Sequence, residues 1–459
     1  MADNPLFHTP KSAWERYASP EDRQAMEDMA LRYLAFLTAC KTERETVRYL
    51  VDRAAAAGYV ENLDSETYLR PWRGKTVLLA RKGRRPLAEG FRLLGAHGDT
   101  PRLDLKQRPF TEDCDLLRAK THYYGGIRKY QWLAIPLALH GVVVLADGRV
   151  VDIVLGEDDD FAFAIPDLLP HLAQKHNEQK ISDGFEAEKL NIILGHEPAG
   201  KPSPEAEAPK DPVKTRILAM LHERYGIAEA DFLSAELQAV PAGPARFIGL
   251  DKALIGSYGQ DDRACVFCAL EALLQAQAPE YTTLVLIWDK EEIGSDGATG
   301  AQSRFLEYCL EDLIAAWNPG TALRTAMLAG KALSADVHAP VDPDFQELHD
   351  AKNSARLGYG PSFSKFTGHR GKYGASEADA EYVGWLRGVL DARGIPWQMA
   401  ELGKVDLGGG GTVAKFLAQY GMDVIDVGPC VLSMHSPLEL SSKADIFATT
   451  EAFRAFLES

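Results

Sequence analysis

Two apolar runs in this chain each end in residues that bind metals, and this pairing of pattern and chemistry constrains the fold more than any other feature. Phe91-Arg92-Leu93-Leu94-Gly95-Ala96 delivers His97-Gly98-Asp99, and Thr283-Leu284-Val285-Leu286-Ile287-Trp288-Asp289 delivers Glu291-Glu292. Short apolar runs of this kind read as buried strands, and open α/β sheets place their chemistry in the crevice outside the carboxyl ends of the strands. Two further runs behave alike: Lys331-Ala332-Leu333-Ser334-Ala335 ends at Asp336 and His338, and Met422 to Gly428 leads to His435. Asp261-Asp262 sits just ahead of a helix expected to begin near Ala264. His, Asp, Glu, Asp and His from five separate places make a two-metal hydrolase site the leading reading.

At 459 residues the chain is too long for one simple core, so two or more domains are expected. A formal net charge of −16 argues against a nucleic-acid or anionic-membrane partner, because phosphate binding needs clustered Lys and Arg. No stretch is apolar enough to span a membrane, and the first residues do not have the form of a signal peptide. Cys265 and Cys268 form a C-x-x-C pair, but within the apolar helix that follows Ala264, and no second such pair exists. Buried core thiols and a reducing, cytoplasmic compartment are therefore expected.

Residues 20–58 read as two helices, with Ser19 ahead of Pro20 as a helix start, and residues 76–81 and 92–96 read as neighbouring strands. From about 106 to 249 the pattern changes to strand-like runs, such as 141–146 and 150–155, with no helices between them. Within that block, residues 195–211 read as a mobile loop. Beyond 250 strands and helices alternate again: helices at 264–277, 379–393, 412–420 and 444–457, strands at 283–289, 397–402 and 422–428. One α/β domain built from both ends of the chain and interrupted by a β-rich insert accounts for this order.

Two divalent ions roughly 3.5–4 Å apart need a bridging carboxylate and terminal ligands on each side. Imidazole and carboxylate donors suit zinc, with cobalt or manganese as alternatives. Asp261 is the natural bridge, since it precedes a helix and points out of a loop. Glu291 fits the base for a metal-activated water, beside the ligand Glu292. Gly408-Gly409-Gly410-Gly411-Thr412 lacks the Gly-Lys-Ser/Thr ending of a phosphate loop, so it reads as a substrate-facing turn, with Gly410 and Gly411 offering backbone amides.

Gly95-Ala96-His97-Gly98-Asp99-Thr100-Pro101, Asp261-Asp262-Arg263-Ala264, Asp289-Lys290-Glu291-Glu292-Ile293-Gly294-Ser295, Ser334-Ala335-Asp336 and Met434-His435-Ser436 occur in that order. Together they resemble the successive motifs of the aspartyl aminopeptidase / vacuolar aminopeptidase I family of dinuclear metallo-aminopeptidases, over nearly the whole chain. Tyr124-Gly125-Gly126, Lys372-Tyr373 and the glycine loop also have counterparts there. The resemblance implies a mixed-sheet zinc-peptidase catalytic domain at 1–105 and 250–459, with an inserted β-rich oligomerisation or lid domain at 106–249. It implies His97, Asp261 and Asp336 around one ion and Asp261, Glu292 and His435 around the other, with Glu291 as general base. Asp99 would orient His97, and the Asp261–Asp262 peptide bond would be cis. The implied activity is hydrolysis of the N-terminal peptide bond of peptides by a homo-oligomer, a tetrahedral dodecamer in which Tyr124-Gly125-Gly126 and Arg128-Lys129-Tyr130 approach a neighbour's active site.

The aspartyl-specific branch reads Trp-Phe-Asp-Arg where this chain has Trp132-Leu133-Ala134-Ile135. A neutral or broad preference for the N-terminal residue therefore stands beside an acidic one, for which Arg370 and Lys372 are available. A related dinuclear deacylase or carboxypeptidase would share the metal set, and a non-catalytic shell protein would share the fold. The intact ligands and base argue against the shell protein.

Overall fold

The computed structural model describes residues 6, 9–157, 160–201, 207, 209–277 and 279–459. The chain divides into two compact units, one of Met1–Thr100, Ala245–Met434 and Leu438–Ser459, the other of Pro101–Pro244 and His435–Pro437.

An eight-stranded mixed sheet runs through the first unit in the order Thr67–Trp72, Thr76–Arg81, Thr282–Trp288, Phe91–His97, Lys331–Ala335, Asp423–Gly428, Ser362–Ser364 and Gln398–Met399. Its four central strands, Thr282–Trp288 to Asp423–Gly428, are mutually parallel. Their carboxyl ends therefore lie along one edge, where Trp288 registers with His97. Every residue of Phe91–His97 and of Thr282–Trp288 is buried, as expected for strands covered on both faces.

Successive side chains point to opposite faces, which divides the core into two layers. Leu94, Ala96, Val285, Ile287 and Leu333 pack on one face with Phe36, Leu50, Phe267 and Phe453. Leu93, Leu284, Leu286 and Ala332 pack on the other with Leu306, Leu310, Leu313 and Leu417. The helices start where the sequence places caps: Ser19 accepts from Asp22 N ahead of Pro20–Ala39, and Thr42 and Glu45 form a capping box for Glu43–Ala56.

In the second unit, a six-stranded antiparallel sheet is ordered Val150–Leu155, Leu137–Val144, Ala235–Pro241, Arg102–Asp113, Leu116–Tyr124 and Asn191–Gly195.

Three sequence expectations are corrected. The strands Thr76–Arg81 and Phe91–His97 are not neighbours, because Thr282–Trp288 pairs with both and lies between them. The block expected to lack helices holds the helix Pro212–Tyr225, which packs against the sheet. The strand expected at 397–402 is confined to Gln398–Met399. Residues 202–206 and 208 of the expected loop at 195–211 lie outside the described residues.

Candidate metal centre

His97 is the last residue of its strand, 2% exposed, and its ring is surrounded by carboxylates. Nε2 lies 3.4 Å from Asp261 Oδ1 and 3.8 Å from Asp336 Oδ1, and Nδ1 lies 3.3 Å from Asp99 Oδ1. The His97 main-chain N–H donates to Asp262 Oδ2 at 3.3 Å. Asp336 directly follows the strand Lys331–Ala335, and its N–H donates to the Val427 carbonyl of the adjacent strand at 3.2 Å.

Lys290, in the left-handed region at φ 72°, turns the chain after Thr282–Trp288 so that Glu291 and Glu292 open a short 3₁₀ turn. Asp261 and Asp262 depart from helical geometry at the start of the helix Gln260–Gln275, as expected for a carboxylate presented from a loop, and the peptide between them is cis.

Among the described residues, three sets each bring their donor atoms within 4.8 Å of one another: His97, Asp261 and Glu292; His97, Glu291 and Asp336; Asp261, Asp262 and Asp336. Overlap of these sets at His97, Asp261 and Asp336 gathers five carboxylates around one imidazole.

So many like charges in a buried place need a cation. Burial opposes a charge on His97, yet Asp261, Asp336 and Asp99 outweigh it and hold its pKa well above the usual imidazole value. A proton on that ring serves as the counter-charge that a metal ion supplies better. Burial pushes Asp262 far above the usual carboxylate range, with Asp336 and Asp261 adding to it. Burial also raises Glu291 to about 8, again with Asp336, Asp99 and Asp261 adding and His97 opposing. One imidazole among carboxylates is a donor set that zinc accepts.

Of the residues expected from sequence, His97, Asp99, Asp261, Glu291, Glu292 and Asp336 come together in the first unit. His435 belongs to the second unit, at φ 65°, with Nδ1 2.8 Å from the Gly126 carbonyl, and is in none of the three donor sets. Asp262 is an addition, legible only as the neighbour of Asp261.

The substrate-side expectations meet in a two-stranded antiparallel ladder, where Gly368-His369 pairs with Gly409-Gly410 from a distant part of the chain. Arg370 and Lys372 sit on the exposed turn between His369 and Tyr373, with φ 48° and 64°. Lys372 Nζ is 2.9 Å from Glu377 Oε1 and 4.0 Å from the Phe366 ring centroid, so its charge is engaged within its own loop. The four glycines of the loop are not equivalent. A Cβ at Gly408 would meet the Leu402 carbonyl oxygen at 1.7 Å, and one at Gly409 (φ 138°) the Gly368 oxygen at 2.5 Å. At Gly411 a Cβ would meet nothing within 4 Å, so packing does not account for that glycine. Buried Asp426, raised to about 7 by burial, accepts from Ser334 Oγ at 2.6 Å, on the strand that leads to Asp336.

A model of the aminopeptidase I zinc metalloproteases (M18) matches residues 36–457. The chain belongs to this family. A Clostridium acetobutylicum protein described as a probable M18 family aminopeptidase 1 is 45% identical over 471 residues, covering 99% of this chain and 100% of that protein. The crystal structure of an M18 aminopeptidase from Thermotoga maritima superposes with a TM-score of 0.92 at 43% identity, covering 98% of this chain and 100% of that one. The S. cerevisiae mApe1 dodecamer, at 20% identity, shares the fold with a TM-score of 0.74 over 94% of this chain and 96% of that one. This M18 chain is thus a metal-dependent aminopeptidase, a peptide hydrolase of a zinc metalloprotease family. Among its described residues, no helix is long and apolar enough to cross a membrane.

Proposed function

We propose that the carboxylate cluster holds two zinc ions bridged by Asp261, with His97 and Asp336 completing one ion's ligands and Glu292 the other's. The observation that carries this reading is that His97 and Asp261 each belong to two overlapping donor sets. His435 is assigned to the second ion from its Met434-His435-Ser436 motif. Bound zinc supplies Lewis acidity toward the scissile carbonyl and acidifies a water molecule. Glu291 would act as the base, taking a proton from the attacking water and returning it to the departing amine. Its backbone is pinned beside Glu292 by the Asp99 carboxylate.

For the N-terminal side chain, the reading is a neutral or broad preference, supported by the pairing of Lys372 with Glu377. For assembly, it is a homododecamer built through the second unit. That unit exposes Val150, Leu172 and Ile181 by more than 60%, apolar area of the kind that marks protein contacts. The mApe1 dodecamer offers a precedent on the same fold. None of the six cysteines is paired, which supports a reducing, cytoplasmic location.

Metal stoichiometry tests the bridge. The parent should hold two zinc ions per chain, and Asp261→Asn should lose both together. Loss of a single ion, with the other held at parental affinity, would reassign Asp261 as a terminal ligand.

A further inference from the structure

The four residues that lead to the bridging carboxylate have their backbone held by side chains rather than by secondary structure. Arg263 Nη2 donates to the Tyr258 carbonyl at 3.1 Å, and its Nε donates to the Gly259 carbonyl at 2.9 Å. Glu439 Oε2 accepts the next two N–H groups, Gln260 at 2.5 Å and Asp261 at 3.2 Å. Thr100 Oγ1 donates to the Asp261 carbonyl. The Gln260 side chain closes the network: Nε2 donates to the Glu439 carbonyl at 2.7 Å, and Oε1 accepts from Tyr33 and Ser441.

Arg263 and Gln260 are fully buried and Glu439 is 1% exposed. Burying a guanidinium and a carboxylate is costly, and an apolar pair would fill the same space more cheaply. Gly259 shows how closely the parts are fitted. It lies at φ 70°, and a Cβ there would stand 1.4 Å from Arg263 Nη2, so the guanidinium fills the space a side chain would need.

We propose that Glu439 and Arg263 are positioning residues for zinc binding, a clamp that sets the direction in which Asp261 presents its carboxylate. This rests on the reading of Asp261 as a metal ligand. Removing a group that orients a ligand typically costs about 10–100-fold in metal affinity, and a site must be held to within about 0.5 Å to function. Glu439 fixes two donors and Arg263 two acceptors of one short segment. Removing either frees the segment to rotate, which carries the Asp261 carboxylate away from its place 3.4 Å from His97 Nε2.

The test measures zinc affinity by chelator competition, together with the Tm of the zinc-stripped protein. The full chain would be compared as parent, Glu439→Ala, Glu439→Gln, Arg263→Lys and Asp261→Asn. Glu439→Ala should bind zinc about 10–100-fold more weakly, and Glu439→Gln should recover most of that loss, because an amide oxygen can accept both N–H groups. Arg263→Lys keeps the charge but not the two-pronged contact, and should weaken zinc at least about tenfold. It carries the test if Glu439→Ala does not fold. A lowered Tm of the stripped protein with parental zinc affinity, in Arg263→Lys or Glu439→Ala, would overturn the proposal and leave the clamp a purely structural role. Parental zinc affinity in Asp261→Asn would instead remove the ligand assignment beneath it.

Discussion

Asp99 Oδ1 accepts the backbone N–H of Glu291 at 3.1 Å. Its other oxygen accepts that of Glu292 at 3.2 Å, and the carboxylate also lies 3.3 Å from His97 Nδ1. The resemblance implied a residue that orients His97. The geometry adds that the same fully buried carboxylate fixes the turn carrying both glutamates, and so sets base and ligand relative to the imidazole.

Asp99→Asn should therefore lower kcat by about 10–100-fold with a smaller change in KM, since an amide cannot accept on both sides. Steady-state kinetics at saturating zinc checks this. Parental kcat in the variant would show that the turn holds its shape without Asp99.

His338 gives a pH dependence with a defined sign. Burial lowers its pKa from 6.5 to about 4, and Nδ1 is engaged with the Ala339 carbonyl at 3.0 Å. It stays neutral in the fold while the unfolded chain takes up a proton below pH 6.5. Stability is thus fully present above about pH 6.5 and is lost as pH falls toward about 4. The loss amounts to about 3 kcal/mol at most, from a shift of about 2.5 units. Denaturant titrations of zinc-stripped parent and His338→Gln should converge by about that amount between these pH values. A constant difference would contradict the reading.

The pairing of Lys372 with Glu377 yields a specificity prediction. Leucyl-anilide should turn over at least about tenfold faster than aspartyl-anilide, a difference of about 1.4 kcal/mol. Glu377→Gln, which releases Lys372, should narrow that ratio. An unchanged ratio would place Lys372 outside substrate recognition.

Light scattering should give a particle twelve times the mass of one chain, and activity should fall when it is dissociated by dilution or mild denaturant. A monomer with full activity at low concentration would leave the second unit as a lid on its own chain.

The central sheet was legible because Phe91–His97 and Thr282–Trp288 are buried at every position, so burial on both faces writes itself as the apolar stretches Leu93 to Ala96 and Leu284 to Trp288. Strand order was not legible: nothing local tells Thr76–Arg81 that its partner is Thr282–Trp288 rather than the next strand along the chain. The helix Pro212–Tyr225 escaped because only Val213 is fully buried, which leaves a weak apolar stripe. Among site residues, those at strand ends could be found from the strands. Glu439 could not, because it meets Asp261 across 178 residues and resembles any surface glutamate in a sequence.

Glu291→Gln is the most direct test of the account, because base and ligand are assigned to adjacent glutamates that share one cluster. Zinc content and leucyl-anilide turnover should be measured on the same preparation. The account predicts two zinc ions per chain, as in the parent, with kcat lowered by about 10²–10⁴-fold. A variant that has lost zinc in proportion to its activity would make Glu291 a ligand and contradict the assignment.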